Sequence, residues 1–315
     1  MRIFAIIVVA LIVRLTVSYF QLHSPNFYIQ QDSYVDYATM LSHGTINNTA
    51  YFDRYNTRLF PGYPVLILLF SRIIGSPILA GYLISLVSSL VAIYLFWKLT
   101  KNTIFTLVFS IFPPIWVEQA TKVATEPLTV ILLLAGLLLY RKNKFFLTGL
   151  ILGFATDVRL ISACLFFAII FQLLITKKWS KLVTVAAGFS ILILSLVIYN
   201  YLLFGSSEVF RQFIVYPVTT QAKLGIFQII SDISRNIRNH EYRVLISGFL
   251  YLIFSFWGII KLYKHRKSSN TVQLLFYWVL FSLIFILSYG PSQLFEDFRR
   301  FIVPIIPALI YGILL

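Results

Sequence analysis

The sequence predicts an all-α polytopic membrane protein with about ten transmembrane helices in one domain over residues 1–315. Hydrophobic residues make up 59% of the chain and charged residues only 12%. The mean hydropathy is +0.86. A soluble domain carries about a quarter charged residues. Many apolar runs also approach the roughly 20 residues that a helix needs to cross a bilayer.

The net charge of +15 is a topology signal. Four short connections concentrate lysine and arginine and contain no Asp or Glu, which is typical of cytoplasmic loops. These basic loops are Trp97–Lys101, Arg141–Lys144, Lys177–Lys181 and Lys261–Lys267. Positive charge in this arrangement suits contact with anionic membrane lipids, and we predict no nucleic-acid partner.

The first apolar run, Ile3–Phe20, lacks a small-residue cleavage site, so we interpret it as a retained first span with the N-terminus inside. Residues 21–61 then form a first extracytoplasmic loop. The apolar stretch Gly62–Ile74 is short for a span, so we expect an interfacial or re-entrant helix there. Span two follows at roughly 77–97. The single cysteine, Cys164, excludes a disulfide within the chain.

The intervals between the first and second basic loops and between the second and third are each too short to hold two full spans and a turn. We expect broken helices there, interrupted by Pro113, Pro114 and Pro127 in one interval and by Thr156–Arg159 at the middle of the other. The remaining elements are span seven at about 182–204, a second large extracytoplasmic segment at 205–243, spans eight and nine at about 246–262 and 271–289, an outer turn at 290–300, and a final run to Leu315.

All 11 acidic residues lie outside the four basic loops. On this topology any chemistry faces outward. We therefore expect an integral, multi-pass protein, in the plasma membrane if the cell is prokaryotic, with an extracytoplasmic active site.

Two aspartates, Asp32 and Asp36, follow the first span. Tyr34, Tyr37, Ala38 and Leu41 recur at helical spacing after Asp32, which predicts an amphipathic interfacial helix in the first outer loop. An aspartate at a helix start is also a common cap, so Asp32 has a structural alternative.

The order of motifs resembles the GT-C glycosyltransferases, more narrowly the group of protein O-mannosyltransferases and lipid A aminoarabinose transferases. The segment DSYVDYATMLSHG matches an acid-initiated pattern after span one, although Ser33 stands where that pattern has a second acid. The similarity continues through TRLFPGYPVLILLF, TEPLTVILLL, GFATDVRL and RRFIVPIIP, over nearly the whole chain.

The resemblance implies an inverting transferase that uses a polyprenyl-phosphate sugar donor and a lipid, glycan or protein acceptor. Asp32 would be the general base. Cationic groups would stabilise the departing phosphate. The substrate-binding candidates are Asp36, Arg58, Tyr63, Lys122, Glu126, Arg159, Arg299 and Arg300.

Several alternatives stay open. The alternative for Arg159 is a structural pair with Asp157 or Glu126, and the alternatives for Glu126 are to orient Arg159 or to begin a helix. The alternative for Arg299 and Arg300 is that of interfacial anchors. Glu118 and Lys122 have the spacing of a helical ion pair. The histidines show no metal-ligand spacing, so we predict no structural metal and no certain cofactor, with a catalytic divalent cation left open. The competing functions are a transporter or flippase for a lipid-linked or anionic substrate and a non-catalytic membrane scaffold.

Overall fold

A computed structural model describes residues 2–23, 32–43, 59–204, 210, 233–240, 242–288 and 300–315, and these contain no strand. The helices are α1 (Arg2–Leu22), α2 (Asp32–His43), α3 (Gly62–Ile74), α4 (Pro77–Thr100), α5 (Thr103–Ile111), α6 (Pro114–Ala120), α7 (Thr125–Arg141), α8 (Phe145–Val158), α9 (Ala163–Ile175), α10 (Trp179–Phe204), α11 (Tyr242–His265), α12 (Asn270–Ser288) and α13 (Ile306–Ile313). Two 3-10 turns, Leu160–Ser162 and Val303–Ile305, precede α9 and α13.

Five of the described helices are long and apolar enough to cross a membrane: α1, α4, α10, α11 and α12. The pair α5 and α6 would make a sixth candidate if counted as one bent span. The helices α3, α8, α9 and α13 are apolar but shorter. The chain is therefore an all-α protein with the character of a membrane-spanning protein.

Prolines shape the interval between the first two basic loops. The Asn102 side chain caps α5 by accepting from the backbone N–H groups of Ile104 and Phe105. The helix ends before Pro113, and α6 begins at Pro114 at an angle of 66° to it, so the predicted break is confirmed. A second break precedes Pro127, because α6 ends at Ala120 and α7 begins at Thr125. Pro127 lies in the first turn of α7, where proline needs no intrahelical donor, and the helix continues to Arg141.

The second short interval breaks where the sequence predicted. Helix α8 ends at Val158, and Arg159 has extended backbone with φ −158° and ψ 122°. The 3-10 turn then leads into α9. This change of direction presents the Arg159 side chain at the junction of two short helices instead of along one continuous helix.

Glycines bring α8 and α10 into close contact. A Cβ added at Gly149 would lie 2.1 Å from the carbonyl oxygen of Val185, and one at Gly188 would lie 2.2 Å from that of Phe146. Gly153 faces Phe189 in the same way, at 2.9 Å from its carbonyl oxygen. Gly149 and Gly153 form the small-xxx-small pattern that allows helix backbones to approach in membranes. We call Gly149, Gly153 and Gly188 the glycine seam.

The basic loops meet at one end of the helix bundle. Arg141 Nη1 donates to the carbonyl oxygen of Leu99 at 3.0 Å, which joins the first two loops. Lys178 and Asn270 line one cavity with Arg141, so the third loop and the start of α12 lie beside them. The first three basic loops therefore lie at one end of the bundle, and the side of the membrane that this end faces stays a prediction. We call this end the basic end and the opposite one the outer end.

Two apolar clusters hold the helices together. The larger contains Phe96, Phe109, Trp116 and Trp278, all fully buried. The free thiol of Cys164 is buried in the same cluster. A smaller cluster lies toward the outer end and joins α2, α3, α4, α7 and α8 through Ala38, Tyr63, Ile67, Ala80, Ile84, Val123, Leu128 and Val158.

Arg14 is fully buried within α1. Its Nε donates to Ser89 Oγ at 2.9 Å, and its Nη1 donates to the carbonyl oxygens of Ala10 and Ser110. The guanidinium carbon also lies 5.8 Å from the ring centroid of Trp116. Within the described ranges its partners are thus neutral oxygens and a ring, which tie α1 to α4 and α5.

Candidate functional site

Two arginines and one glutamate converge at the outer end. Glu126, in the first turn of α7, is fully buried. Its Oε1 accepts from Arg159 Nη1 at 2.7 Å and from Arg300 Nε at 3.1 Å. We call these three residues the outer arginine cluster. Among the sequence alternatives, Glu126 is the partner that orients Arg159, and no ion pair joins Arg159 to Asp157 in the part of the chain that is described.

The outer arginine cluster carries one more positive charge than negative. The Arg159 side chain is 15% exposed and that of Arg300 is 41% exposed, so both arginines reach the protein surface while the carboxylate between them is buried. Arg159 Nη1 also donates to Thr125 Oγ1 at 3.0 Å, and its guanidinium lies 5.4 Å from the ring of Phe301. Its Nε and Nη2 make no hydrogen bond to any described residue, so they can still donate to an anion.

A buried hydrogen-bond network lies next to this cluster. Tyr63 is fully buried, and its hydroxyl donates to the carbonyl oxygen of Gly81 at 3.0 Å and lies 3.0 Å from Ser85 Oγ. Ser85 in turn accepts from the Ala124 N–H and donates to the Ala124 carbonyl oxygen. The network fixes the backbone two residues before Glu126. Tyr63 therefore positions α3 against α4, and its hydroxyl is enclosed by protein.

Helix α2 packs onto the same region. The predicted amphipathic helix is confirmed, with Tyr37 and Ala38 on its buried face. The ring of Tyr34 meets that of Tyr63 edge-on with centroids 5.4 Å apart, and the hydroxyls of Tyr37 and Tyr199 share a hydrogen bond. Asp32 is the first residue of this helix. Its side chain lies outside the described part of the structure.

Asp36 is partly buried on α2 and has interaction partners. Lys122 Nζ lies 2.6 Å from Glu118 Oε1, so the predicted ion pair is confirmed. The two side chains are 20% and 40% exposed, respectively. Arg58 and Arg299 lie outside the described residues, as do the long outer segments at 44–58 and 211–232.

Asp157, which the sequence offered as an alternative partner of Arg159, lies instead beside the start of α3. Its Oδ1 is buried and has no hydrogen-bond partner among the residues described. A methyl group added to Gly62 would lie 2.9 Å from the Asp157 carbonyl oxygen and 3.2 Å from its Oδ2, so the carboxylate abuts the start of α3. Tyr37 and Tyr199 are within electrostatic range of it.

One group of the network was missed. Ser85 lies in an apolar run where nothing distinguishes it from Ser88 or Ser89. Among the described residues, no three His, Cys, Asp or Glu side chains come together as a metal-binding group.

Comparisons with protein-family models, with curated proteins and with solved structures find no match for this chain. The basis for a function is therefore the geometry at the outer end, where α2, the Tyr63 network and the outer arginine cluster lie together.

Proposed function

We propose that the chain is an integral membrane glycosyltransferase with a GT-C-like arrangement of about ten spans. It would move a sugar from a polyprenyl-phosphate donor to an acceptor on the extracytoplasmic side, with inversion. The observation that carries this proposal is the outer arginine cluster, which lies at the same end of the bundle as the helix that begins at Asp32.

The arginines match the chemistry of the leaving group. In a single displacement the acceptor hydroxyl oxygen bonds to the anomeric carbon while the bond from that carbon to the phosphate oxygen breaks. The electron pair leaves with the polyprenyl phosphate, which gains negative charge. Arg159 and Arg300 would stabilise this charge, because guanidinium N–H groups bind phosphate oxygens in a planar, bidentate geometry. Glu126 holds both in place before the donor arrives.

Asp32 would accept the proton from the acceptor hydroxyl. A base on this face must lie opposite the phosphate and keep its position. Helix α2 is held by the contact of Tyr34 with Tyr63 and by the hydrogen bond of Tyr37 to Tyr199. Asp36 on α2, together with Lys122, Arg58 and Arg299, completes the proposed set of substrate contacts. The acceptor class in this proposal is a lipid, a glycan or a protein.

A transporter or flippase for a lipid-linked or anionic substrate is the second candidate. The broken helix pairs, α5 with α6 and α8 with α9, favour it, because transporters place binding residues on discontinuous helices. The two functions differ in their product. A transferase releases free polyprenyl phosphate, whereas a transporter moves its substrate intact.

The test uses purified protein in lipid nanodiscs with labelled polyprenyl-phosphate sugars and an acceptor-containing membrane extract. We expect release of polyprenyl phosphate with one donor. Arg159→Lys should lower kcat/KM by at least about tenfold, because lysine keeps the positive charge but cannot form the bidentate hydrogen bonds of a planar guanidinium. Arg72→Lys, at an exposed arginine near the end of α3, is the matched control and should match the parent. Release unaffected by Arg159→Lys, or intact donor crossing a vesicle membrane without release, would contradict the proposal.

A further inference from the structure

The basic end contains a cavity of about 260 Å³. Its walls come from α7, α8, α9, α10 and α12, so five helices and the basic loops between them contribute. It lies at the opposite end of the bundle from the outer arginine cluster. The proposed transferase chemistry does not use it.

Three cationic side chains line this cavity: Arg141, Lys178 and Lys181. Its described lining includes no Asp or Glu, so the cations face one another without a carboxylate between them. The Lys181 ammonium lies 5.0 Å from the ring of Phe145, which holds it at the wall. Like charges gathered in a concave site raise the local potential and favour an anion. The ligand is therefore expected to carry negative charge.

A buried amide holds the walls of the cavity in place. Gln172 is 3% exposed, and its Nε2 donates to the carbonyl oxygen of Asn270 at 2.9 Å and to Gln273 Oε1 at 3.3 Å. Its Oε1 accepts from the Tyr140 hydroxyl at 3.2 Å. These bonds connect α9 to α7 and α12. Thr176 and Asn143 add further polar groups to the lining, so the site can hydrogen-bond an uncharged polar part of a ligand as well.

The surface beside the cavity is apolar and exposed. Next to the lining residues along the chain stand Phe146 and Leu147 on α8, Leu174 and Ile175 on α9, and Trp179 at the start of α10. Their exposed fractions run from 39% to 60%. On a membrane-spanning protein such a surface faces acyl chains, and tryptophan favours the level of the headgroups. A ligand that combines an anionic head with an apolar tail fits both surfaces at once.

We propose that this cavity binds the phosphate-bearing headgroup of an anionic phospholipid from the leaflet at the basic end. Lys178, Lys181 and Arg141 contact the phosphate. The polar side chains of the wall contact the rest of the headgroup, and the acyl chains lie along the apolar surface of α8 and α9. Basic pockets between membrane helices on the cytoplasmic side recognise such headgroups.

The experiment is native mass spectrometry of the delipidated full-length protein, titrated with phosphatidylglycerol and, separately, with phosphatidylcholine. The test variant is Lys178→Gln/Lys181→Gln. The matched control is Lys264→Gln/Lys267→Gln, which removes the same charge from exposed lysines of a basic loop outside the cavity lining. Each cavity lysine should contribute about fivefold in affinity, so the double variant should bind phosphatidylglycerol about 25-fold more weakly. Lys178→Arg/Lys181→Arg should restore binding, which separates lost charge from misfolding.

A preference for phosphatidylglycerol over phosphatidylcholine that is lost in the cavity variant, and kept in the control and in the arginine variant, supports the proposal. Equal loss in cavity and control variants would show general surface charge and overturn it. Unchanged binding in the cavity variant would overturn it as well. In a third arm, inorganic phosphate is titrated against the bound lipid. Displacement at concentrations comparable to those of the lipid would assign the cavity to a free anion and would contradict the lipid assignment.

Discussion

Arg159 Nη1 donates to Glu126 Oε1 over 2.7 Å although the two residues are 33 positions apart in the chain. The bond joins the junction of α8 and α9 to the first turn of α7. Arg300, from the C-terminal part, reaches the same oxygen at 3.1 Å. One buried carboxylate thus fixes three separate segments of the outer end.

Replacing Glu126 with glutamine should destabilise the protein. Glu126→Gln removes the buried carboxylate that both Arg159 and Arg300 contact. Breaking a buried pair costs about 3–5 kcal/mol, and we expect about 3 kcal/mol because Arg300 is 41% exposed. Unfolding by denaturant in detergent micelles measures the change. Glu118→Gln, which breaks the more exposed pair with Lys122, is the control and should cost less than about 1 kcal/mol. Equal losses of unfolding free energy in the two variants would contradict the conclusion that the Glu126 carboxylate holds three segments together.

Adding a methyl group in the glycine seam should force α8 and α10 apart. Gly188→Ala would place its Cβ 2.2 Å from the Phe146 carbonyl oxygen, and Gly149→Ala is equally crowded against Val185. Each should cost about 1–3 kcal/mol or more, since backbone cannot yield as a flexible side chain does. Thermal unfolding should show a lower Tm. Ala187→Val, on the exposed side of α10, adds more volume and should leave Tm within a degree or two of the parent's. A seam variant as stable as that control would refute the close packing.

Ser89 should stabilise the protein, because its hydroxyl accepts a hydrogen bond from the buried Arg14 guanidinium. Ser89→Ala removes the acceptor of Arg14 Nε and leaves that donor unpaired inside the bundle. The expected loss is about 1–3 kcal/mol. Ser195→Ala is the matched control, because the exposed Ser195 hydroxyl bonds only within its own helix, to Ile191, among the described residues. Denaturant unfolding should give a clearly lower free energy of unfolding for Ser89→Ala than for Ser195→Ala. The reverse order would disprove the role of Ser89.

Cysteine labelling tests the sidedness of the bundle. The one native cysteine, Cys164, is buried and should give a low background. In intact cells a membrane-impermeant maleimide should label Ser42→Cys, at the exposed end of α2. It should label Asn143→Cys, in a basic loop, only after permeabilisation. Labelling of Asn143→Cys in intact cells, with Ser42→Cys protected, would invert the topology and exclude an outward-facing site.

The long helices were predictable from the sequence. Runs of bilayer length bounded by polar loops gave span two at 77–97 and span seven at 182–204, and the structure has Pro77–Thr100 and Trp179–Phe204. The break at Arg159 followed from an interval too short for two full spans. The glycine pattern in α8 is also visible in the sequence. Which helix it packs against depends on the tertiary structure, which a single sequence does not reveal.

The candidate site was predictable only as a set of residues. Periodicity placed α2, and motif order selected Glu126, Arg159 and Arg300. It left the partner of Arg159 open, because Asp157 and Glu126 were both available and packing at long range decides between them. The partners of the Tyr63 hydroxyl were not predictable for the same reason, since they come from α4, 18 and 22 residues further along the chain.

The most direct test of the central claim is the turnover of Asp32→Asn. Asparagine keeps the shape of the side chain but cannot accept the acceptor's proton. With the donor that the parent uses, release of polyprenyl phosphate should fall by at least about 100-fold, the usual size of a general-base contribution. Donor binding and Tm should stay near those of the parent. Ser42→Ala on the same helix is the control and should keep full activity. Unchanged turnover in Asp32→Asn would contradict the assignment of Asp32 as the base.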